Sequence, residues 1–161
     1  MKNTSMVVAL DLSDSFLAEE VLIIQKAAYQ VEAELIDYPG IPALFETKEA
    51  LMSSKESFIG YYDGDQLNGV LAYELINDCL IINRLIVNPL SFRQGIGTQL
   101  LTYLDRHNPN HHAFRVSTGK LNEPALRLYQ KCGFVIIKDF LINDVLWMTM
   151  LEKKGCDDNR I

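Results

Sequence analysis

The chain alternates between short apolar segments of strand length and longer segments whose apolar residues recur at helical spacing. Neighbouring apolar segments are separated by residue pairs typical of tight hairpin turns: Asp63-Gly64, Asn77-Asp78 and Asn143-Asp144. These patterns predict seven strands, at residues 6–12, 58–62, 69–76, 79–87, 115–118, 135–142 and 145–151. The fourth is almost continuously apolar, which is typical of a central strand buried on both faces.

Two helices are predicted in the first third of the chain. Residues 16–31 repeat apolar side chains along one face, and Ser13 or Asp14 is the expected N-cap. The sequence Asp-Tyr-Pro-Gly-Ile-Pro at residues 37–42 breaks the helical pattern. Residues 47–53 then fit a second, short helix with its own cap.

A glycine turn joins the fourth predicted strand to the next predicted helix. Gly95 and Gly97 stand at this junction, where the first N–H groups of a helix have no acceptor within the helix. Such N–H groups, together with the helix dipole, bind phosphate groups. Main-chain donors of six consecutive residues are therefore candidates for binding a diphosphate: Arg93, Gln94, Gly95, Ile96, Gly97 and Thr98. A tight turn without a ligand explains this segment alone equally well.

The last predicted helix has both of its ends marked in the sequence. Asn122 suits the N-cap, Pro124 is tolerated in the first turn, and Gly133 is a typical C-terminal stop. Its apolar face consists of residues at helical spacing: Ala125, Leu128, Tyr129 and Cys132. Because a helix connects the strands at residues 79–87 and 115–118, these two strands are predicted to be parallel.

The glycine turn and the last helix together resemble the motifs of the GNAT-type N-acetyltransferase superfamily. The first motif is Q/R-x-x-G-x-G/A in that family and reads Phe-Arg-Gln-Gly-Ile-Gly here, so Phe92 departs from it while Arg93 supplies a basic residue next to it. The second motif, N-x-x-A-x-x-L-Y-x-x-x-G-F, begins at Asn122. The resemblance implies one α/β (α+β) domain over residues 1–152, with a polar tail at residues 153–161. Its mixed central sheet would have about six or seven strands with a splayed parallel pair, flanked by about four helices.

The resemblance also implies a cofactor site. Acetyl-coenzyme A (acetyl-CoA) would be the cosubstrate, with its diphosphate on the glycine turn. Its pantetheine arm would bind the backbone of three residues in the splay: Leu85, Ile86 and Val87. Asn122 would contact the pantetheine or phosphate region besides capping its helix. Tyr129 falls where the family has a tyrosine near the coenzyme sulfur, so it is expected to protonate the departing thiolate. From periodicity alone, Tyr129 is more simply a residue of the buried helix face.

The activity implied by the resemblance is transfer of an acetyl group to an amine acceptor by direct attack in a ternary complex, without a covalent acyl-enzyme. Residues 36–45 would line the acceptor site and set its specificity. No general base is identified, because Glu74 on its predicted strand is more commonly a solvent-facing side chain. The missing base and the departure at Phe92 keep a second hypothesis open, namely an acyl-CoA-binding sensor or structural module that transfers nothing.

Composition and charge restrict the partners. A net charge of −6 opposes nucleic-acid binding, and no apolar run approaches the roughly 18 residues of a membrane span. Because no basic-then-apolar leader begins the chain, a soluble cytoplasmic protein is expected, and a homodimer is compatible with the sequence. Four basic residues are candidates for a coenzyme phosphate: Arg93, Lys120, Arg127 and Lys131.

Neither the cysteines nor the histidines predict a metal site. The cysteines are odd in number and widely spaced, at Cys79, Cys132 and Cys156, so no disulfide framework is expected either. Three histidines lie close in sequence, but Asn-Pro-Asn separates them and no carboxylate or cysteine completes a ligand set: His107, His111 and His112. A solvated loop without metal is therefore expected.

Overall fold

The computed structural model of the protein describes residues 4–108 and 113–155. Its strands are β1 (Ser5–Leu10), β2 (Ser57–Asp63), β3 (Gln66–Ile76), β4 (Cys79–Val87), β5 (Ala113–Gly119), β6 (Val135–Ile142) and β7 (Leu146–Lys154). Its α-helices are α1 (Ser15–Leu35), α2 (Lys48–Met52), α3 (Ile96–His107) and α4 (Glu123–Lys131). Two short 3₁₀ turns lie at Pro42–Phe45 and Pro89–Ser91. Every predicted strand and helix is therefore present.

One mixed sheet of seven strands organises the described chain, in the order β1-β2-β3-β4-β5-β7-β6. All neighbouring strands are antiparallel except β4 and β5, which are parallel and connected through α3. This confirms the predicted fold class. None of the helices among the described residues is both long and apolar enough to cross a membrane.

The local chemistry of turns and caps explains where most of these elements begin and end. Asn77 and Asp78 both have positive φ angles, of 51° and 64°, as a tight hairpin turn between twisted strands requires. Asp14 rather than Ser13 caps α1, because its Oδ1 accepts the Phe16 N–H at 2.9 Å.

Several elements run further than the sequence pattern predicts, and α1 and β7 show why. Helix α1 was expected to end near residue 31 but continues to Leu35, because Ala33 and the following Ile36 pack in a small apolar cluster with Ile41. Strand β7 continues to Lys154, inside the segment expected as a polar tail, because its residues remain paired with β5. Residues 156–161 of that tail lie outside the described residues.

The core has two layers, one on each face of the sheet. Helices α3 and α4 cover one face, where Leu100 and Leu104 are buried against Leu71 and Leu80. Helix α1 covers the other face, where Val21 packs in a cluster with Val70, Ile86 and other buried apolar side chains. Burial of these apolar side chains is the main force that holds both helical layers on the sheet.

A β-bulge in β4 changes which face its side chains point to. Ala72 of β3 pairs with Arg84, whereas the next residue, Tyr73, pairs with Ile82, so Asn83 is an extra residue in β4. Because side chains alternate along a strand, the extra residue shifts the alternation. Ile82 consequently packs in the cluster beneath α3 and α4, whereas Arg84 bonds to side chains on the α1 side.

The parallel pair separates at its carboxyl end. Strands β4 and β5 pair from Cys79 opposite Ala113 to Ile82 opposite Val116. Beyond that point β4 continues to Val87 without a β5 partner. The splayed parallel pair expected from the resemblance is thus confirmed, and it opens a gap in the centre of the sheet.

Candidate active site

The glycine turn lies at the mouth of this gap, directly after β4. Asn88 anchors its beginning, because the Asn88 N–H donates to the Asn68 carbonyl at 2.8 Å and the Asn88 Oδ1 accepts the Leu90 N–H at 3.1 Å. Arg93 and Gly95 then adopt left-handed φ angles of 66° and 75°. These two residues turn the chain sharply from the strand into α3.

The first turn of α3 presents N–H groups that its N-cap leaves free. Gly95 is the N-cap and has no side chain with which to accept a hydrogen bond, and its carbonyl accepts only the Gln99 N–H, at 3.0 Å. The N–H groups of Ile96, Gly97 and Thr98 precede the first helical hydrogen bond, so they have no acceptor within the helix. The helix dipole adds partial positive charge at the same end. Three of the six candidate diphosphate donors, Ile96, Gly97 and Thr98, are therefore free N–H groups at one helix terminus, and the other three are in the turn that precedes it.

The two glycines of the turn have different physical roles. A Cβ on Gly95 would meet no atom within 4 Å, so this glycine is explained by its left-handed backbone. A Cβ on Gly97 would lie 2.8 Å from Cδ2 of Leu128 on α4. Gly97 therefore lets α3 and α4 pack closely, a role that the local sequence does not indicate.

The backbone of β4 beside the gap is bonded on one side only. Leu85, Ile86 and Val87 pair with β3, opposite Leu71, Val70 and Gly69 respectively. No described strand pairs with their other edge, since β5 has already diverged. An extended ligand can add to this edge as a strand would.

Tyr129 of α4 is a buried ring with an accessible hydroxyl. Only 5% of the residue is exposed, and its ring meets Phe134 edge to face at 5.5 Å between centroids. Within the described residues the hydroxyl makes no hydrogen bond, yet no buried side-chain polar atom there lacks a partner, so this oxygen is not completely enclosed. Burial, with smaller contributions from Tyr29 and Glu32, raises the pKa of Tyr129 well above that of an ordinary phenol. The hydroxyl is thus protonated at neutral pH.

Asn122 caps α4 as predicted, but its amide also joins three elements. Its Oδ1 accepts the Ala125 N–H at 3.2 Å. Its Nδ2 donates to Oε1 of Glu32 on α1 at 3.2 Å and to Oγ1 of Thr118 on β5 at 3.3 Å. Asn122 itself is only 7% exposed. A contact between this side chain and a coenzyme would compete with the two existing acceptors.

A cavity of about 540 Å³ opens on the α1 side of the sheet, around the β4 bulge. Its lining includes Pro42 and Ala43 from the segment predicted to set specificity. The remaining lining residues are largely polar: Tyr29, Glu46, Ser54, Lys55, Glu56, Glu74, Asn83 and Arg84. Glu74 is not a free carboxylate, because its Oε2 accepts the Asn83 Nδ2 at 2.8 Å.

Arg84 uses its whole guanidinium group to tie the walls of this cavity together. It bonds both oxygens of Glu46 and of Glu56 and donates to Gln25 Oε1 at 2.8 Å. Burial is the largest single influence on both carboxyls and would raise their pKa, but the hydrogen bonds and charge of Arg84, together with hydrogen bonds from neighbouring side chains, give a net lowering. The guanidinium also lies over the Phe58 ring at 5.6 Å. Arg84 is therefore a structural clamp with no donor left for a substrate.

The four basic candidates for a coenzyme phosphate differ in how they are engaged. Lys120 pairs with Asp139 at 3.1 Å, and Arg127 pairs with Glu123 at 3.6 Å. Arg93 and Lys131 form no ion pair with any described residue. Lys131 lines a second cavity of about 310 Å³ between α3 and α4, together with Thr98.

The described histidine and cysteine residues do not belong to a group of potential metal ligands. His107 Nδ1 lies 2.9 Å from the Tyr103 carbonyl, and the two rings stack at 3.8 Å. His111, His112 and Cys156 lie outside the described residues. Within residues 4–108 and 113–155, no group of three potential ligand residues is close enough to hold a metal ion.

Three residues near the gap were not predicted from the sequence. The sequence contains a signal for Arg84, because the Asn-Arg pair interrupts an otherwise apolar strand. It contains no signal for Tyr29 and Glu32, because a tyrosine and a glutamate on a long helix are also typical of many surface positions. Their place at the gap follows only from how α1 crosses the sheet.

Comparison with known proteins identifies the family. The model of the acetyltransferase (GNAT) family matches residues 20–134. UPF0157 protein YqkA of Bacillus subtilis is 40% identical over 129 residues, which cover 80% of this chain but only 38% of that protein. The ribosomal-protein-S18-alanine N-acetyltransferase of Escherichia coli has the same fold, with a TM-score of 0.75 and 14% identity over 98% of this chain and 99% of its own.

The PaiA N-acetyltransferase of Thermoplasma acidophilum, solved in complex with coenzyme A, has a TM-score of 0.72 and 17% identity over 94% of this chain and 99% of its own. Similarity to these solved structures establishes the fold. The family match spans the splayed strands, the glycine turn and α4. The chain therefore belongs to the acetyltransferase (GNAT) family.

Proposed function

We propose that the protein transfers an acetyl group from acetyl-CoA to an amine acceptor by direct attack in a ternary complex. The observation that carries this proposal is the open edge of β4, which runs from the N-terminus of α3 into the gap beside α4, the helix that carries Tyr129. This arrangement would bring an anion site and a proton donor to a gap suited to an extended ligand. Membership of the family and the neighbour solved with coenzyme A support the choice of cosubstrate.

The coenzyme would bind mainly through the main chain. The N–H groups from Arg93 to Thr98 would hold the diphosphate, and the free edge at Leu85, Ile86 and Val87 would pair with the amides of the pantetheine arm. The Arg93 side chain is exposed and has no ion pair among the described residues, so it is the preferred cation for a phosphate. Asn122 Nδ2 would contact the pantetheine arm only by giving up its hydrogen bond to Glu32 or to Thr118.

Tyr129 would act as the general acid. A neutral amine attacks the thioester carbonyl carbon, and collapse of the tetrahedral intermediate breaks the carbon–sulfur bond. The departing thiolate takes the phenolic proton, which the raised pKa of Tyr129 keeps in place until then. The acceptor would enter through the cavity on the α1 side, with residues 36–45 forming part of its wall. The protein would carry out this reaction in the cytoplasm.

Release of free thiol from acetyl-CoA in the presence of an amine panel tests the function. We expect amine-dependent release, and a loss of about a hundredfold or more in kcat for Tyr129→Phe with unchanged coenzyme affinity. Tyr103→Phe, a change on the neighbouring helix, is the matched control and keeps full activity. Full turnover by Tyr129→Phe at every pH would remove Tyr129 as the acid.

The same experiment distinguishes this proposal from the alternative, an acyl-CoA-binding sensor or structural module. A sensor or structural module would bind coenzyme A in calorimetry yet release no thiol with any amine. That result would contradict the proposed transfer.

A further inference from the structure

We propose that Glu32 removes a proton from the ammonium group of the acceptor. Glu32 lies at the gap between β4 and β5, where Asn122, the N-cap of α4, donates a hydrogen bond to it. This inference rests on the proposed function and adds a base that the sequence did not identify. Four observations carry it: the placement of Glu32, its neighbours, its free oxygen and the pairing of the other carboxylates nearby.

The placement of Glu32 is unusual for a helix residue on one face of a sheet. Helix α1 packs on one face, and α4 packs with α3 on the other. The 3.2 Å bond from Asn122 Nδ2 to Glu32 Oε1 nevertheless joins α1 to the cap of α4, beside Thr118 near the end of β5. This carboxylate therefore lies where the splayed strands leave the sheet open.

The neighbours of Glu32 connect it to both reacting partners. Tyr29, on the preceding turn of α1, lines the cavity proposed for the acceptor. The Tyr29 phenol and the Glu32 carboxylate both interact electrostatically with the phenol of Tyr129. An amine that passes from the cavity along Tyr29 thus meets Glu32 and the proton donor at the same place.

One oxygen of Glu32 is available. Oε1 accepts the bond from Asn122, whereas Oε2 has no hydrogen-bond partner in the described part of the chain. Because no buried polar atom there is left without a partner, Oε2 of the half-buried Glu32 is accessible to solvent. The bond from Asn122 fixes the orientation of the carboxylate that a base needs.

The other carboxylates around the cavity are engaged to different extents. Glu46 and Glu56 bind the guanidinium of Arg84 with both oxygens, whereas Glu74 accepts from Asn83 through Oε2 alone. Glu32 has no cationic partner among the described residues. Burial raises its pKa, which makes it a stronger base than an exposed glutamate. Glu32 differs from Glu74 in its place, because it is bonded to the cap of α4 and interacts with the phenol of Tyr129.

The protons balance as follows. Glu32 takes one proton from the ammonium and later releases it to solvent. The resulting amine forms the carbon–nitrogen bond, and its nitrogen then carries one proton too many. Tyr129 gives its proton to the departing thiolate and regains one from that nitrogen. The products are the amide, free coenzyme A and one proton.

The test compares Glu32→Gln with the wild-type protein on two kinds of acceptor. Gln preserves the oxygen that accepts the bond from Asn122, so the change removes only the basicity. The acceptors are primary alkylamines, which are protonated at neutral pH, and acyl hydrazides of matched size, which are not. Glu34→Gln, an exposed change on the same helix, is the control.

We expect Glu32→Gln to lower kcat/KM for alkylamines by about a hundredfold to ten-thousandfold, and for hydrazides far less. Glu32→Asp, which keeps a carboxylate, should recover part of the loss. Calorimetry should show unchanged binding of coenzyme A to all variants, which also reports that they are folded.

Three outcomes overturn the inference while leaving acetyl transfer intact. They are full activity of Glu32→Gln with alkylamines, an equal loss with both kinds of acceptor, and no recovery by Glu32→Asp. The second would show that Glu32 holds the site in shape rather than moving a proton. If the wild-type protein acetylates neither kind of acceptor, the proposed function itself fails.

Discussion

Comparison of Gly95→Ala with Gly64→Ala separates the stability cost of an alanine in a left-handed turn from the loss of ligand binding. Gly95 has a φ of 75° and a Cβ there would touch nothing within 4 Å, so the added methyl group makes no clash with the protein. Gly64, in the hairpin between β2 and β3, has a φ of 62° and an equally open surrounding. The two glycines are therefore matched in backbone and in space, but only Gly95 lies at the N-terminus of α3.

The magnitudes follow from these geometries. An alanine held in the left-handed region costs about 1 kcal/mol, so both variants should lose about that much free energy of unfolding. At Gly95 the strained turn relaxes and turns N–H groups of α3 away from the ligand. Loss of one hydrogen bond to a charged diphosphate costs about 1.5 to 3 kcal/mol, which weakens the Kd for coenzyme A by about tenfold to a hundredfold.

Urea denaturation and calorimetric titration with coenzyme A measure the two effects separately. Gly64→Ala should bind coenzyme A like the wild-type protein despite its loss of stability. The reasoning is refuted if Gly95→Ala keeps wild-type affinity, or if Gly64→Ala loses as much affinity as Gly95→Ala.

The clamp at Arg84 yields two further predictions. Arg84→Met should lower the free energy of unfolding by about 3 kcal/mol in urea titrations, because Glu46 and Glu56 are left without a cation while only 19% and 11% of their side chains are exposed. The control Arg115→Met breaks a more exposed ion pair and should cost under about 1 kcal/mol. Equal losses in the two variants would contradict this ranking. Since the folded pKa of Glu46 and Glu56 lies below the ordinary glutamate value, their contribution to stability is present above that value and is lost as the pH falls through the lowered pKa. Urea midpoints measured from neutral to strongly acidic pH should show the loss of this contribution in the wild-type protein and not in Arg84→Met. Identical pH profiles of the two proteins would contradict the assignment of this contribution to Glu46 and Glu56.

Local chemistry is what made most of the fold predictable from the sequence. The Asn-Asp pairs form turns because both residues tolerate positive φ angles, and the apolar run of β4 places Leu80, Ile82 and Ile86 in the core. Asn122 caps its helix because a short amide can accept a backbone N–H from its own helix. The glycine turn is equally local, since strand, turn and helix are consecutive in the chain.

Features that depend on distant contacts could not be predicted. The bulge at Asn83 follows from pairing with β3, and nothing in the β4 sequence indicates which residue is extra. The bond between Glu32 and Asn122 joins residues far apart in the chain, and neither residue type predicts the other. The glycine pattern predicts ligand approach at Gly97, whereas its close packing against Leu128 becomes visible only when α3 and α4 are packed.

The central claim is that the first N–H groups of α3 bind the diphosphate of a coenzyme. Backbone amide NMR on isotope-labelled protein tests it most directly, with coenzyme A added in one titration and pantetheine, which lacks the diphosphate, in another. The account predicts that the amide signals of Ile96, Gly97 and Thr98 shift strongly with coenzyme A and little with pantetheine. Binding of coenzyme A without shifts at these amides, or the same shifts with pantetheine, would contradict it.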